Sequence, residues 1–131
     1  MRALIAVAVC IWPMATEAQT FSGNDLYAAC NSSLPEQAGF CVGHITGLVQ
    51  GFPFGASVVL FSLGTQSSGD ANSSYEQISG YCLYQSVENG QIIQIVRTYM
   101  AEHPEKRHMP ARWLILEAMQ AAFPSSGGCA E

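Results

Sequence analysis

Four cysteines, Cys30, Cys41, Cys82 and Cys129, follow an N-terminal stretch with the anatomy of a secretory leader, and together these features limit the fold more than any others in the chain. In the leader, residues 1–18, Arg2 supplies the positive start, Ala3 to Trp12 the apolar run and Pro13 the break. Thr16 and Ala18 are the small residues expected just before a cut at Gln19. An N-terminal core helix is the weaker reading, because Pro13 and the polar residues after it end the run abruptly. The run is shorter than the roughly 20 apolar residues of a membrane span, so no stable membrane insertion is expected after cleavage. The destination of an exported chain is oxidising, and an even number of cysteines there reads as two disulfides, with three pairings open. Metal ligation competes with that reading, but no CxxC pair and no zinc-type Cys–His spacing is present.

The rest of the composition narrows the class. With 131 residues, 49% hydrophobic and 11% charged, the chain can bury one core and is not of the disordered type. Its net charge is −5, and beyond the first few residues the strong bases are Arg97, Lys106, Arg107 and Arg112. A nucleic-acid partner is therefore not expected, because phosphate neutralisation needs clustered cations.

Residues 19–131 read as a single helical domain. Ser22 offers an N-cap with Asp25 in the first turn, and Leu26, Tyr27, Ala29 and Cys30 form an apolar stripe before the breaker Asn31 to Pro35. A second helix begins near Glu36 and carries Phe40, Cys41, Ile45, Leu48 and Val49 at repeating spacings. Gly43, Gly47 and Gly51 recur in it every four residues. Each weakens the helix by up to about 1 kcal/mol relative to Ala, so the stripe predicts a closely packed neighbouring helix. Phe52 to Phe61 either extends this helix beyond Pro53 or forms a short buried strand, and Ser62 to Ser74 reads as a solvated loop. Asn89 or Ser86 caps a third helix, in which Ile92, Ile93, Ile95, Val96, Tyr99 and Met100 repeat at helical steps until Pro104. After a charged turn, Glu105 to His108, Pro110 stands as a first helical residue and Trp113 to Phe123 form a fourth helix that Pro124 ends. The expected class is all-α, a small antiparallel bundle of four to five helices stapled by two disulfides. A hairpin of the first two helices would bring Cys30 level with Cys41, a closure worth roughly 3 kcal/mol in chain entropy. Cys82 with Cys129 then follows only by elimination.

Catalytic chemistry has few candidates. A Cys–His nucleophile needs a free thiol, which two disulfides would consume. Glu102 and Glu105 read as solvated end-of-helix charges, His103 and His108 as polar capping histidines, and His44 as a half-buried residue on the second helix. No HExxH, GxSxG or phosphate-binding glycine loop occurs. A binding protein without metal or cofactor is the expectation.

Three short segments stand out, Leu26-Tyr-Ala-Ala-Cys30, Cys41-Val-Gly-His-Ile-Thr-Gly47 and Tyr81-Cys82-Leu83. The most specific block runs from Gly90-Gln91-Ile92 through Tyr99-Met100-Ala-Glu-His103-Pro104-Glu-Lys-Arg-His108-Met-Pro110-Ala111, then Ala121-Ala-Phe123-Pro124. In these segments the chain resembles the Rap/Tai family of type VI secretion immunity proteins. The chain departs from the family where Tyr84 follows Leu83 in place of an early Pro, where Ser125 to Gly128 separate Pro124 from Cys129, and at His44, where Tyr is common. What the resemblance implies is a periplasmic helical domain, often a homodimer, that binds a papain-like peptidoglycan amidase toxin and blocks its cleft without being an enzyme itself. The expected contact surface is the loop bearing Gln66, Ser67, Ser68, Asp70, Asn72 and Tyr75, because an exposed polar loop between apolar anchors can enter a cleft. An exported adaptor that self-associates through the Ile92–Met100 face is the alternative; an enzyme would require His103 or His108.

Overall fold

A computed structural model describes residues 20–64, 78–125 and 129. Within them the chain is all-α: α1 (Gly23–Cys30), α2 (Pro35–Ser62), α3 (Asn89–Glu102) and α4 (Ala111–Ala122), with a 3-10 turn, Pro104–Lys106, between α3 and α4.

Local chemistry sets the helix starts. At α1 the Ser22 hydroxyl accepts the Asp25 N–H at 3.3 Å, while the Asp25 carboxylate accepts the Ser22 N–H at 3.0 Å, a reciprocal capping box. The next two N–H groups, of Gly23 and Asn24, donate to the Met109 and Arg107 carbonyls, each at 2.8 Å. The first turn of α1 is thus seated on the loop that leads into α4. α2 starts at Pro35, one residue earlier than expected, because a proline there has no N–H to leave unpaired. The cap of α3 is neither Asn89 nor Ser86. It is Glu88, which forms a box with Gln91 and leaves Asn89 as the first helical residue. Pro110 caps α4 and does not open it, and α4 ends at Ala122, ahead of Pro124.

α2 continues through Pro53, which rules out the strand reading of Phe52 to Phe61. Pro53 removes one backbone donor, yet the apolar period runs on from Val49 through Phe52 and Ala56. The Ser57 hydroxyl donates to the Pro53 carbonyl at 2.8 Å.

The core is built from one stripe of each helix. Leu26 of α1, Ile45 and Val49 of α2, Val96 and Met100 of α3, and Leu114, Ile115 and Met119 of α4 are all buried. Ile92 is buried with them, so the Ile92–Met100 face is interior and cannot serve self-association. Both ends of α4 are latched by isolated antiparallel bridges, Ser22 with Pro110 and Tyr81 with Pro124. The Ala111 N–H reaches the Phe21 carbonyl at 2.9 Å, and the Cys82 N–H reaches that of Phe123 at 2.8 Å. The disulfides are Cys30–Cys41, with Cα atoms 5.0 Å apart, and Cys82–Cys129, 5.4 Å apart. The first ties α1 to α2, and the second joins the segment before α3 to the tail.

Two sets of glycines behave oppositely. A Cβ on Gly23 would run into the Leu114 side chain and lie 2.9 Å from the Arg107 carbonyl, so α1 packs here only because no side chain intervenes. A Cβ on Gly43, Gly47 or Gly51 would meet nothing within 4 Å. The expectation that this stripe packs against a neighbouring helix is therefore wrong within the described chain. The core takes Cys41, Ile45 and Val49, and the glycines fall on the opposite side of α2.

A candidate binding surface

The charged side chains around the turn between α3 and α4 are committed to holding helices together. The Lys106 ammonium donates to the Glu117 carboxylate at 2.8 Å and to the Tyr99 hydroxyl at 2.9 Å, and that hydroxyl donates to Glu117 at 2.8 Å. The bond from Lys106, followed by that from Tyr99, holds the Glu117 carboxyl below the ordinary carboxylate range. The same contacts push Lys106 upward, that with Glu117 first. The Arg107 guanidinium donates to the Met100 carbonyl at 2.6 Å and to that of Ala101 at 3.3 Å, closing the end of α3. It also stacks over the Tyr27 ring at 3.6 Å. His103 sits beside Glu105 at 3.2 Å, and His108 Nδ1 donates to the Glu105 carbonyl at 2.8 Å. Both histidines thus have the polar, turn-closing roles expected from the sequence. Glu102 and Glu105 are exposed at the end of α3 and just after it. Among the described residues, no three of His, Cys, Asp and Glu gather as a metal site.

The outer side of α2 has the opposite character. Gly43, Gly47, Gly51, Phe54, Val58 and Phe61 follow one another at three- and four-residue steps, and all are exposed. Phe54 is 74% and Phe61 69% exposed, far more than a large apolar side chain normally is in a soluble domain. No Asp, Glu, Lys or Arg occurs from Gln37 to Ser62. The hydroxyls of Thr46, Ser57 and Ser62 donate back to the carbonyls of Val42, Pro53 and Val58, each at 2.8 Å, so even these polar groups are satisfied internally. By length and composition α2 could cross a membrane, but Cys41, Ile45 and Val49 lock its first half into the bundle. A contiguous uncharged face of this kind marks an interaction site. The loop residues named from the sequence, Gln66, Ser67, Ser68, Asp70, Asn72 and Tyr75, lie outside the described residues. The sequence reading missed the outer α2 face, although the spacing of its glycines and of Phe54, Val58 and Phe61 carried the signal.

His44 stands on α2 in a cluster with two aromatic rings, 5.0 Å from that of Phe21 and 5.5 Å from that of Phe40. Its Nε2 is sealed from solvent without a hydrogen-bond partner. Burial pulls its pKa below the ordinary 6.5, so the folded chain keeps the ring neutral where the unfolded chain protonates it. The unfolded state then binds more protons, and stability falls as the pH drops below about 6.5 toward the lower folded value. The lowered carboxylates of Asp25, Glu105 and Glu117 lose their contributions only below 3.8 to 4.5, outside this window. Thermal melts between about pH 7 and pH 5 should show Tm declining with pH, and His44→Phe should flatten the decline; an equal slope in the variant would contradict this origin.

A family model for Rap1a immunity proteins matches residues 22–125. No curated protein and no solved structure matches the chain significantly. The match begins at the α1 cap and runs past the latch between Tyr81 and Pro124, so all four helices fall inside it. The two disulfides fit a setting outside the cytoplasm. The chain belongs to the Rap1a immunity protein family, whose members are immunity proteins and not enzymes.

Proposed function

We propose that this chain, exported to the periplasm with loss of residues 1–18, is the immunity partner of a type VI secretion effector that cleaves peptidoglycan as an amidase. Residues 19–131 would form the single working domain. The observation that carries this reading is the family match across residues 22–125. The geometry supports binding over catalysis, since all four cysteines of this domain are in disulfides and the charged turn closes helices. An amidase of papain type works through a Cys–His pair, so a domain laid over that cleft would inhibit by excluding substrate. The contact residues proposed from the sequence are Gln66, Ser67, Ser68, Asp70, Asn72 and Tyr75, which follow Leu63 and Gly64 in the chain. The acidic net charge of −5 would favour a basic toxin surface and speed encounter. Titrating a purified type VI peptidoglycan amidase effector from the same genome with the purified protein should abolish peptidoglycan hydrolysis near equimolar ratio. Full activity under a molar excess would remove the inhibitor reading.

A homodimer is the second element of the proposal, and the outer face of α2 favours it. Glycines in mid-helix allow two helices to approach closely, and Phe54, Val58 and Phe61 supply apolar surface alongside. A two-fold contact here is self-complementary without any charge to pair. Light scattering at about 100 µM should give twice the monomer mass. Gly47→Trp, whose side chain starts in open space in the monomer, should give a single folded chain with unchanged helicity. A wild-type monomer would remove the homodimer, and a dimer that tolerates the Trp would place the contact elsewhere.

A further inference from the structure

Between α2 and α4 lies an apolar cavity of about 130 Å³ whose walls are almost entirely carbon. Val49, Tyr81 and Met119 form its buried floor. Phe52 and Trp113, 38% and 48% exposed, stand at its mouth with Arg112. The size is informative. A dry cavity of about 150 Å³ lined by aliphatic and aromatic side chains holds one benzene, so this one takes a single aromatic ring or branched aliphatic group. A lipid chain would overfill it.

The second observation is the state of Arg112. Arg97 reaches the Asn31 side chain, Lys106 is held by Glu117, and Arg107 closes α3. Among the described Lys and Arg residues, Arg112 alone makes no hydrogen bond or ion pair. A guanidinium offers a planar fork of donors that matches a carboxylate. A side-chain-sized apolar cavity rimmed by Phe52, Trp113 and an unpaired Arg112 has the composition of a pocket that receives an anchor residue in protein recognition.

We propose that this pocket is an anchor site for a protein partner, taking one Phe-, Leu- or Ile-like side chain whose neighbour is an Asp or Glu paired with Arg112. The site lies on the α4 side of the bundle, apart from the outer α2 face, and it does not depend on the identity of any toxin.

The test uses peptides and no amidase, so it stands or falls separately from the inhibitor reading. Acetyl-Asp-Phe-amide, titrated to about 10 mM, is followed by NMR through the Trp113 indole and the Met119 methyl. Both signals should shift with a Kd in the millimolar range. Exchanging Asp for Asn in the peptide should weaken binding two- to fivefold, about the worth of an exposed ion pair. Exchanging Phe for Ala should abolish it. In Arg112→Gln, an exposed position on α4 that leaves the core untouched, the Asp and Asn peptides should bind alike. Unmoved pocket signals, an Ala peptide as good as the Phe peptide, or an Asp preference that survives in Arg112→Gln would overturn the assignment. Pocket signals that shift on dilution of the protein alone would make a second copy the occupant and overturn it. A response to decanoate with none to the peptides would do the same in favour of an amphiphile.

Discussion

Arg107 ties three parts of this molecule together. Its guanidinium closes the end of α3 through the Met100 and Ala101 carbonyls and lies flat on Tyr27 of α1, while its own carbonyl takes the Asn24 N–H at the start of α1. Two helices and the approach to a third are thereby fixed by one side chain and one peptide group. Removing the charge would leave the part-buried Met100 carbonyl at the end of α3 without this donor, and that loss is larger than the loss of an ordinary surface bond. Lys106, one residue earlier, completes the arrangement by tying Tyr99 of α3 to Glu117 of α4. The dense run of charge from Glu105 to His108 is thus a structural joint. Its resemblance to a reactive cluster comes only from its composition.

That joint explains why the rest of α1 can be so short. An eight-residue helix is marginal by itself. Here it is held by a capping box at Ser22, by the Met109 and Arg107 carbonyls, by the bare Gly23 against Leu114, and by the Cys30–Cys41 bridge at its far end. α2 differs. Its first half is held by Cys41, Ile45 and Val49, while its second half carries Phe54, Val58 and Phe61 out into solvent. The bundle is therefore polar-tied at one end and presents an apolar surface along the outer side of α2, a division suited to a protein that acts by contact.

Much of this was legible in the sequence because the signals were local. The helical periods of α3 and α4, the Ser22–Asp25 pair and the Cys30–Cys41 spacing all report interactions between near neighbours in the chain, and the structure carries them out. Other readings differ from the structure for other reasons. The cap of α3 fell to Glu88, because a box with Gln91 outweighed the usual preference for Asn or Ser. The glycine stripe was assigned to internal packing, although only the position of Ile45 and Val49 decides which side of α2 faces inward. The Ile92–Met100 stripe was offered as a surface, although a stripe that apolar in a chain this small is needed for the core. Periodicity identifies a face; it does not say whether the partner lies in the same chain. The roles of Arg107 and the unpaired state of Arg112 were invisible for the same reason, since both depend on residues distant in sequence.

The charged turn between α3 and α4 holds the helices of this bundle in place. Equilibrium urea unfolding of Arg107→Met tests this most directly, because the variant keeps the length and apolar stem of the side chain while removing its donors. Losing charge-assisted bonds to two carbonyls and a cation–π contact should cost about 2–4 kcal/mol with an unchanged m-value. A stability within about 0.5 kcal/mol of the parent, the usual result for a solvated surface charge, would contradict the account.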